Sequence, residues 1–169
     1  MSEQQDKQQQ FFIRRAMQLA DQAQAQGEVP VGALVVYQGE IIGEGYNQLI
    51  TTCSATAHAE IIALRAAGQY LHNYRLLDCE LYVTLEPCPM CASAMVHSRI
   101  KKVIYGASDL KTGAAGSVMN LLSYEGVNHH VAVQSGVLAA ECKAQLQAFF
   151  KARRQEKKAL KLAQRAQKK

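Results

Sequence analysis

Two stretches constrain this chain more than anything else in it: Thr56-Ala57-His58-Ala59-Glu60 and Glu86-Pro87-Cys88-Pro89-Met90-Cys91. Between them they offer an imidazole, two thiols and a carboxylate close to the imidazole, so any fold must bring two separate segments to one point. A Cys-x-x-Cys pair sets its sulfurs three residues apart, adjacent on a helical face. Pro87 fits the first turn of a helix, where its missing N–H costs nothing. Cys88 and Cys91 are therefore expected at a helix N-terminus, whose partial positive charge favours thiolates. Two thiolates and a neutral imidazole are a donor set for tetrahedral zinc.

The number of ligands decides the kind of site. A structural zinc closes its shell with four protein ligands, whereas a catalytic zinc keeps one position for water. His58, Cys88 and Cys91 make three. A closed site with Cys53 or Cys79 as fourth ligand would leave Glu60 without a role, and a thiol redox pair would leave the His-x-Glu unexplained. Residues two apart on a helix do not share a face. His58 is thus expected at or just before a first helical turn, from which Glu60 can converge on the same point. Zinc lowers the pKa of its water from about 15.7 to about 7, and a neighbouring carboxylate can carry protons between that water and a substrate.

His-Ala-Glu followed by Pro-Cys-x-x-Cys resembles the zinc-dependent nucleobase deaminases. Within that cytidine/deoxycytidylate deaminase superfamily the chain is similar to the bacterial tRNA-specific adenosine deaminases. The resemblance also covers Glu28-Val29-Pro30-Val31-Gly32-Ala33, Gly43-Glu44-Gly45-Tyr46-Asn47, Asn73-Tyr74-Arg75-Leu76, Tyr82 to Cys88, His97-Ser98-Arg99-Ile100, Lys111 to Ser117, Phe149-Phe150 and Arg153-Arg154-Gln155-Glu156. It implies a cytidine-deaminase-like α/β fold, three-layered α/β/α with a five-stranded mixed sheet. It implies a hydrolase that converts the wobble adenosine of a tRNA anticodon loop to inosine and releases ammonia. In that scheme one zinc per subunit is held by His58, Cys88 and Cys91, and Glu60 shuttles protons as hydroxide attacks C6 of adenine. Asn47 binds the flipped nucleotide, Asp109 contacts a neighbouring one, and Phe149 and Arg153 line the RNA surface. The family is also homodimeric, with both subunits contributing to RNA binding. Two departures stand out. Family members often carry Asn-Arg-Pro where this chain has Asn47-Gln48-Leu49, and Asp-Pro-Thr-Ala-His where it has Ser54-Ala55-Thr56-Ala57-His58. Ala55 in place of proline predicts a softer loop before the histidine.

Without the resemblance, rival readings remain: a deaminase of a free base or nucleoside, and a non-catalytic zinc-containing RNA-binding module. A basic tail argues against the first, and Glu60 against the second. Residues 1–150 carry ten Lys and Arg against thirteen Asp and Glu, a net −3, whereas residues 151–169 carry nine against Glu156 alone, a net +8. Such asymmetry points to a polyanion partner. The expected organisation is a deaminase domain over 8–155 and a basic helix or tail over 156–169.

Strands are expected at Ala33–Tyr37 and Glu40–Gly43 around a Gln38-Gly39 turn, then at Leu81–Leu85, Val103–Gly106 and Val131–Val133. Helices are expected from Phe11 to Gly27, from His58 to Gly68, after Pro87 and from Leu138, with residues 1–10 frayed. Gly43 and Gly45 suggest a backbone passing close to a ligand. His129-His130 reads as an exposed strand start. No apolar run is long enough to span a membrane. Five cysteines, two of them in the zinc motif, and an N-terminus without signal-peptide character make the cytoplasm the expected compartment.

Overall fold

The computed structural model describes residues 1–168, so Lys169 of the expected basic tail lies outside the described residues. The elements are α1 (Glu3–Ala25), β1 (Gly32–Tyr37), β2 (Glu40–Tyr46), α2 (Ala59–Leu71), β3 (Glu80–Leu85), α3 (Pro89–His97), β4 (Lys102–Ala107), β5 (Ala132–Gln134) and α4 (Ala139–Gln167). The strands form one mixed sheet in the order β2-β1-β3-β4-β5. β1 pairs antiparallel with β2 and β3, while β3–β4 and β4–β5 are parallel. Gln38 and Gly39 both take positive φ, the backbone twist that a two-residue hairpin turn requires.

Alternation along the central strands supplies two buried faces. Ala33, Val35, Leu81, Val83, Val103 and Tyr105 point to a core shared with α2 and α3. Leu34, Val36, Tyr82 and Ile104 point the other way, to Phe12, Ile13, Ala16 and Leu19 of α1 and Cys142 of α4. The result is the expected three-layer α/β/α sandwich. No helix among the described residues is long and apolar enough to cross a membrane.

Four local expectations are corrected. Residues 3–10 are helical, not frayed, because Ser2 and Gln5 close a capping box at the head of α1. Pro89, not Pro87, occupies the first turn of α3, and Cys88 is its N-cap. α2 runs past Gly68 to Leu71 and stops where His72 adopts a left-handed conformation. What lies close to Gly43 and Gly45 is the backbone of α2. A Cβ on Gly43 would lie 2.5 Å from the Ala63 carbonyl oxygen, and one on Gly45 would lie 2.4 Å from that of Ala59. They are the flat surface on which α2 rests.

α4 passes through the expected boundary at Gln155–Glu156 without a break. Burial changes there instead: after Arg153 every described residue of the helix is exposed. The basic segment is an arm continuous with the domain's last helix.

Candidate active site

The carboxyl end of β3 and the starts of α2 and α3 meet at one place. His58 is the N-cap of α2 and Cys88 that of α3, both in extended backbone conformation, so two helix N-termini converge there. His58 Nδ1 lies 3.6 Å from Cys88 Sγ and 3.5 Å from Cys91 Sγ. All three ligand atoms lie within 4.8 Å of one another. Zinc bound at about 2.1 Å to nitrogen and about 2.3 Å to sulfur in tetrahedral geometry separates the two atoms by about 3.6 Å. The donor set and its spacing fit zinc. Cys53 and Cys79 are not part of this cluster: the Cys53 thiol points at the Ile50 carbonyl, 3.7 Å away, and the Cys79 thiol at that of Leu77, 3.6 Å away.

Burial and neighbours set the charges. A hydrogen bond from the Cys91 thiol, and then His58, draw the Cys88 pKa down to about 4 against the opposing effect of burial. Cys91, the donor of that pair, is held well above the usual thiol range by the same bond and by burial. The hydrogen bond with Cys88 raises His58. Glu60 is 4% exposed, and burial pushes its pKa up to about 7.

A cavity of about 340 Å³ opens over this cluster, and Asn47, His58, Glu60, Cys88, Asp109 and Arg153 all line it. Cys91 is fully buried beneath. Asn47 donates from Nδ2 to the Val29 carbonyl (3.1 Å) and accepts at Oδ1 from the Ala59 N–H (3.0 Å), which ties the pocket floor to the first residue of α2. Asp109 folds its carboxylate back onto the Lys111 and Thr112 N–H groups at 2.9 and 3.1 Å. Arg153 reaches the Gly27 carbonyl at 3.0 Å, with its guanidinium 5.2 Å from the centre of the Phe149 ring. Phe149 does not line the cavity. It is buried beneath Arg153, and the exposed ring of the pair is Phe150.

A family model described as the cytidine and deoxycytidylate deaminase zinc-binding region matches residues 6–107. A tRNA-specific adenosine deaminase of Haemophilus influenzae is 55% identical over 148 residues, 87% of this chain and 86% of the relative. The chain belongs to the tRNA-specific adenosine deaminase family. A second member, from Bacillus subtilis, is 47% identical over 152 residues, covering 90% of this chain and 94% of its own. A solved structure from a study of A-to-I editing by tRNA:A34 deaminases at the wobble position superposes with a TM-score of 0.78 at 38% identity, covering 80% of this chain and 98% of that one. This chain is accordingly a hydrolytic deaminase of the zinc-dependent superfamily, with the fold of that family.

Two residues of this deaminase's pocket carry no role in the sequence pattern. Glu28 and Glu86 are each 2% exposed and line the cavity. Glu28 accepts from the Ile50 and Thr51 N–H groups, both at 3.0 Å, and from the Thr51 hydroxyl at 2.9 Å. Burial raises its pKa, but these bonds outweigh burial and leave it below the ordinary value. Glu86 accepts from the N–H groups of Asp109 (2.9 Å), Ala115 (3.1 Å) and Ser117 (3.0 Å) and from the Ser117 hydroxyl. The one hint in the sequence was an acidic residue at the end of an apolar strand, where an unpaired charge would be costly.

Proposed function

We propose that this deaminase converts the wobble adenosine of a tRNA anticodon loop to inosine, with one zinc per subunit held by His58, Cys88 and Cys91. The observation that carries the reading is the single cavity in which His58, Cys88 and Glu60 meet Asn47, Asp109 and Arg153. When bound, zinc supplies the Lewis acidity that makes water nucleophilic near neutral pH. The rest is done by the chain. Glu60, buried in the first turn of α2, takes a proton from the attacking water and delivers it to the leaving amine. A C6–O bond forms, the C6–N bond breaks and ammonia departs. Asn47 keeps a second amide hydrogen beyond the one given to Val29, and this is available to the flipped base. Asp109 contacts a flanking nucleotide, and Arg153 on its Phe149 support meets the RNA at the cavity mouth.

An anticodon loop suits such a pocket because its bases are already unpaired, which makes extrusion cheap compared with a duplex. Flanking contacts also explain why a free nucleoside should be a poor substrate: it forfeits their binding energy. The substrate places the enzyme in the cytoplasm, and recovery outside the soluble cytoplasmic fraction would contradict that. The functional unit is a deaminase domain, residues 8–155, with a basic arm, 156–169.

The subunits form a homodimer in this reading. An apolar groove of about 790 Å³ along α2 and α3, lined by Ile61, Leu64, Tyr74 and Ala94, is a face for the second copy. Tyr74 in it is 70% exposed in the single chain.

The deciding experiment incubates the purified protein with an anticodon stem-loop, free adenosine, cytidine and guanine in parallel and measures inosine and ammonia. Inosine in the stem-loop, with little turnover of the others, is the expected result. Preference for any free base or nucleoside would overturn the tRNA reading. Sedimentation equilibrium of the same sample should give twice 18.6 kDa, and a monomer mass would remove the dimer.

A further inference from the structure

The cavity has two loop walls, and each hangs on one buried carboxylate. The first wall brings Leu49 and Ile50 to the cavity; the second brings Asp109 and Thr112. Glu28 collects three donors from Ile50 and Thr51 in the first. Glu86 collects four from Asp109, Ala115 and Ser117 in the second, tying together residues 109–117. Among the described residues the ion pairs are Lys7–Glu3 and Arg15–Glu44, so neither carboxylate is balanced by a cation. The second wall is built around its anchor. A Cβ on Gly113 would stand 2.4 Å from Glu86 Oε2 and 2.4 Å from the Asp109 carbonyl oxygen, so only glycine lets the loop close this tightly.

Apolar side chains could pack under two loops at less cost than two buried anions. What an anion adds is direction: several N–H groups must aim at one point, which leaves the loop a single backbone conformation. The carboxylates do not reach the reacting atoms by this route; they act through the walls. We propose that Glu28 and Glu86 are positioning residues of the deaminase, each clamping one wall of the pocket so that the flipped nucleotide and its neighbour are held in register with Glu60. The inference rests on the pocket being the nucleotide site. The Glu28 clamp also fixes residues 50 and 51, in the same loop that Ala55 in place of a proline is expected to soften.

The test compares Glu28→Gln and Glu86→Gln with wild type in the full-length, zinc-loaded protein. Glutamine keeps the shape and one acceptor, but turns an NH₂ toward N–H donors. Three quantities are read: zinc content, steady-state kinetics on an anticodon hairpin well below each variant's Tm, and amide hydrogen exchange resolved by residue. The expected result is wild-type zinc content with a KM raised by up to about a hundredfold, the scale on which a small misplacement of site groups costs an enzyme. Exchange should speed up at Ile50 and Thr51 in Glu28→Gln alone, and at Ala115 and Ser117 in Glu86→Gln alone. A lowered Tm with kinetics unchanged would make the carboxylates supports of the fold only and overturn the proposal. So would unchanged exchange at the clamped amides. Should Glu86→Gln fail to fold, Ser117→Ala, which removes one donor from the same clamp, takes its place with the same readouts. A wild type that leaves the hairpin untouched sinks the substrate reading; an active wild type with unaltered variants sinks the clamps alone.

Discussion

Glu60 stands two positions after His58, a spacing that keeps side chains apart on a regular helix. They converge because His58 is not helical: as N-cap it has φ −70° and ψ 152°, and only Ala59 begins α2. Cys88 repeats the device at α3, with φ −74° and ψ 171°. One residue on each side of the site is thus swung out of its helix toward the other. The division of labour predicted from this is sharp. Cys88→Ser should lose most of the zinc, measured by metal analysis of the purified variant, since a thiolate ligand is replaced by a hydroxyl poorly matched to zinc. Glu60→Ala should keep zinc and fold but lose about 10²- to 10⁴-fold in ammonia release on the hairpin, the range for a lost proton carrier. Near-normal turnover would mean that another group carries the proton.

At the scale of elements, what sets the height of α2 above the sheet is the absence of side chains between them. Gly43 and Gly45, two apart on β2, face the stripe Ala59, Ala63 and Ala67, whose backbone atoms occupy the space a Cβ would need. Helix and strand meet backbone to backbone. Because His58 and Glu60 sit at the start of this helix, the same packing also sets their distance from α3. Gly45→Ala would place a methyl 2.4 Å from the Ala59 carbonyl oxygen, which no rotamer can relieve. It should destabilise the fold by about 1–3 kcal/mol, as overpacking does. Thermal unfolding reads that change. Zinc content should fall with it, because displacing the head of α2 moves His58; a destabilised variant with full zinc would separate the helix packing from the site. From sequence the two glycines suggest a backbone passing close to a ligand, and here what passes close is a helix.

At the scale of the molecule, α4 joins the pocket to the basic arm. Arg153 lines the cavity, and Arg154, Lys157, Lys158, Lys161 and Arg165 line a groove along the helix beyond it. From Arg154 to Arg165 the helix rises about 16 Å, so the cations lead away from the site in a row. Truncation after Arg154 removes Lys157, Lys158, Lys161, Arg165, Lys168 and Lys169. Hairpin binding measured against salt concentration should then weaken, with a slope flattened by up to about one unit for each phosphate that the arm no longer neutralises. An unchanged slope would make the arm a solubility feature.

That His58, Cys88, Cys91 and Glu60 belong together was legible from their types and spacing, and the structure brings the three ligand atoms within 4.8 Å of one another with Glu60 in the same cavity. The five strands and the buried alternation of the sheet were legible because periodicity is a local property, written in consecutive residues. The structure was needed wherever a residue's role depends on a partner far along the chain. Glu86 meets Ser117 across 31 residues, and Glu28 meets Thr51 across 23, and nothing near either glutamate in sequence announces these bonds. Phe149 reads as core or platform from sequence, and only the structure shows it buried with Arg153 over its ring. Local chemistry selects what a site can contain, but which donors a buried charge finds is settled only when folding brings distant backbone to it.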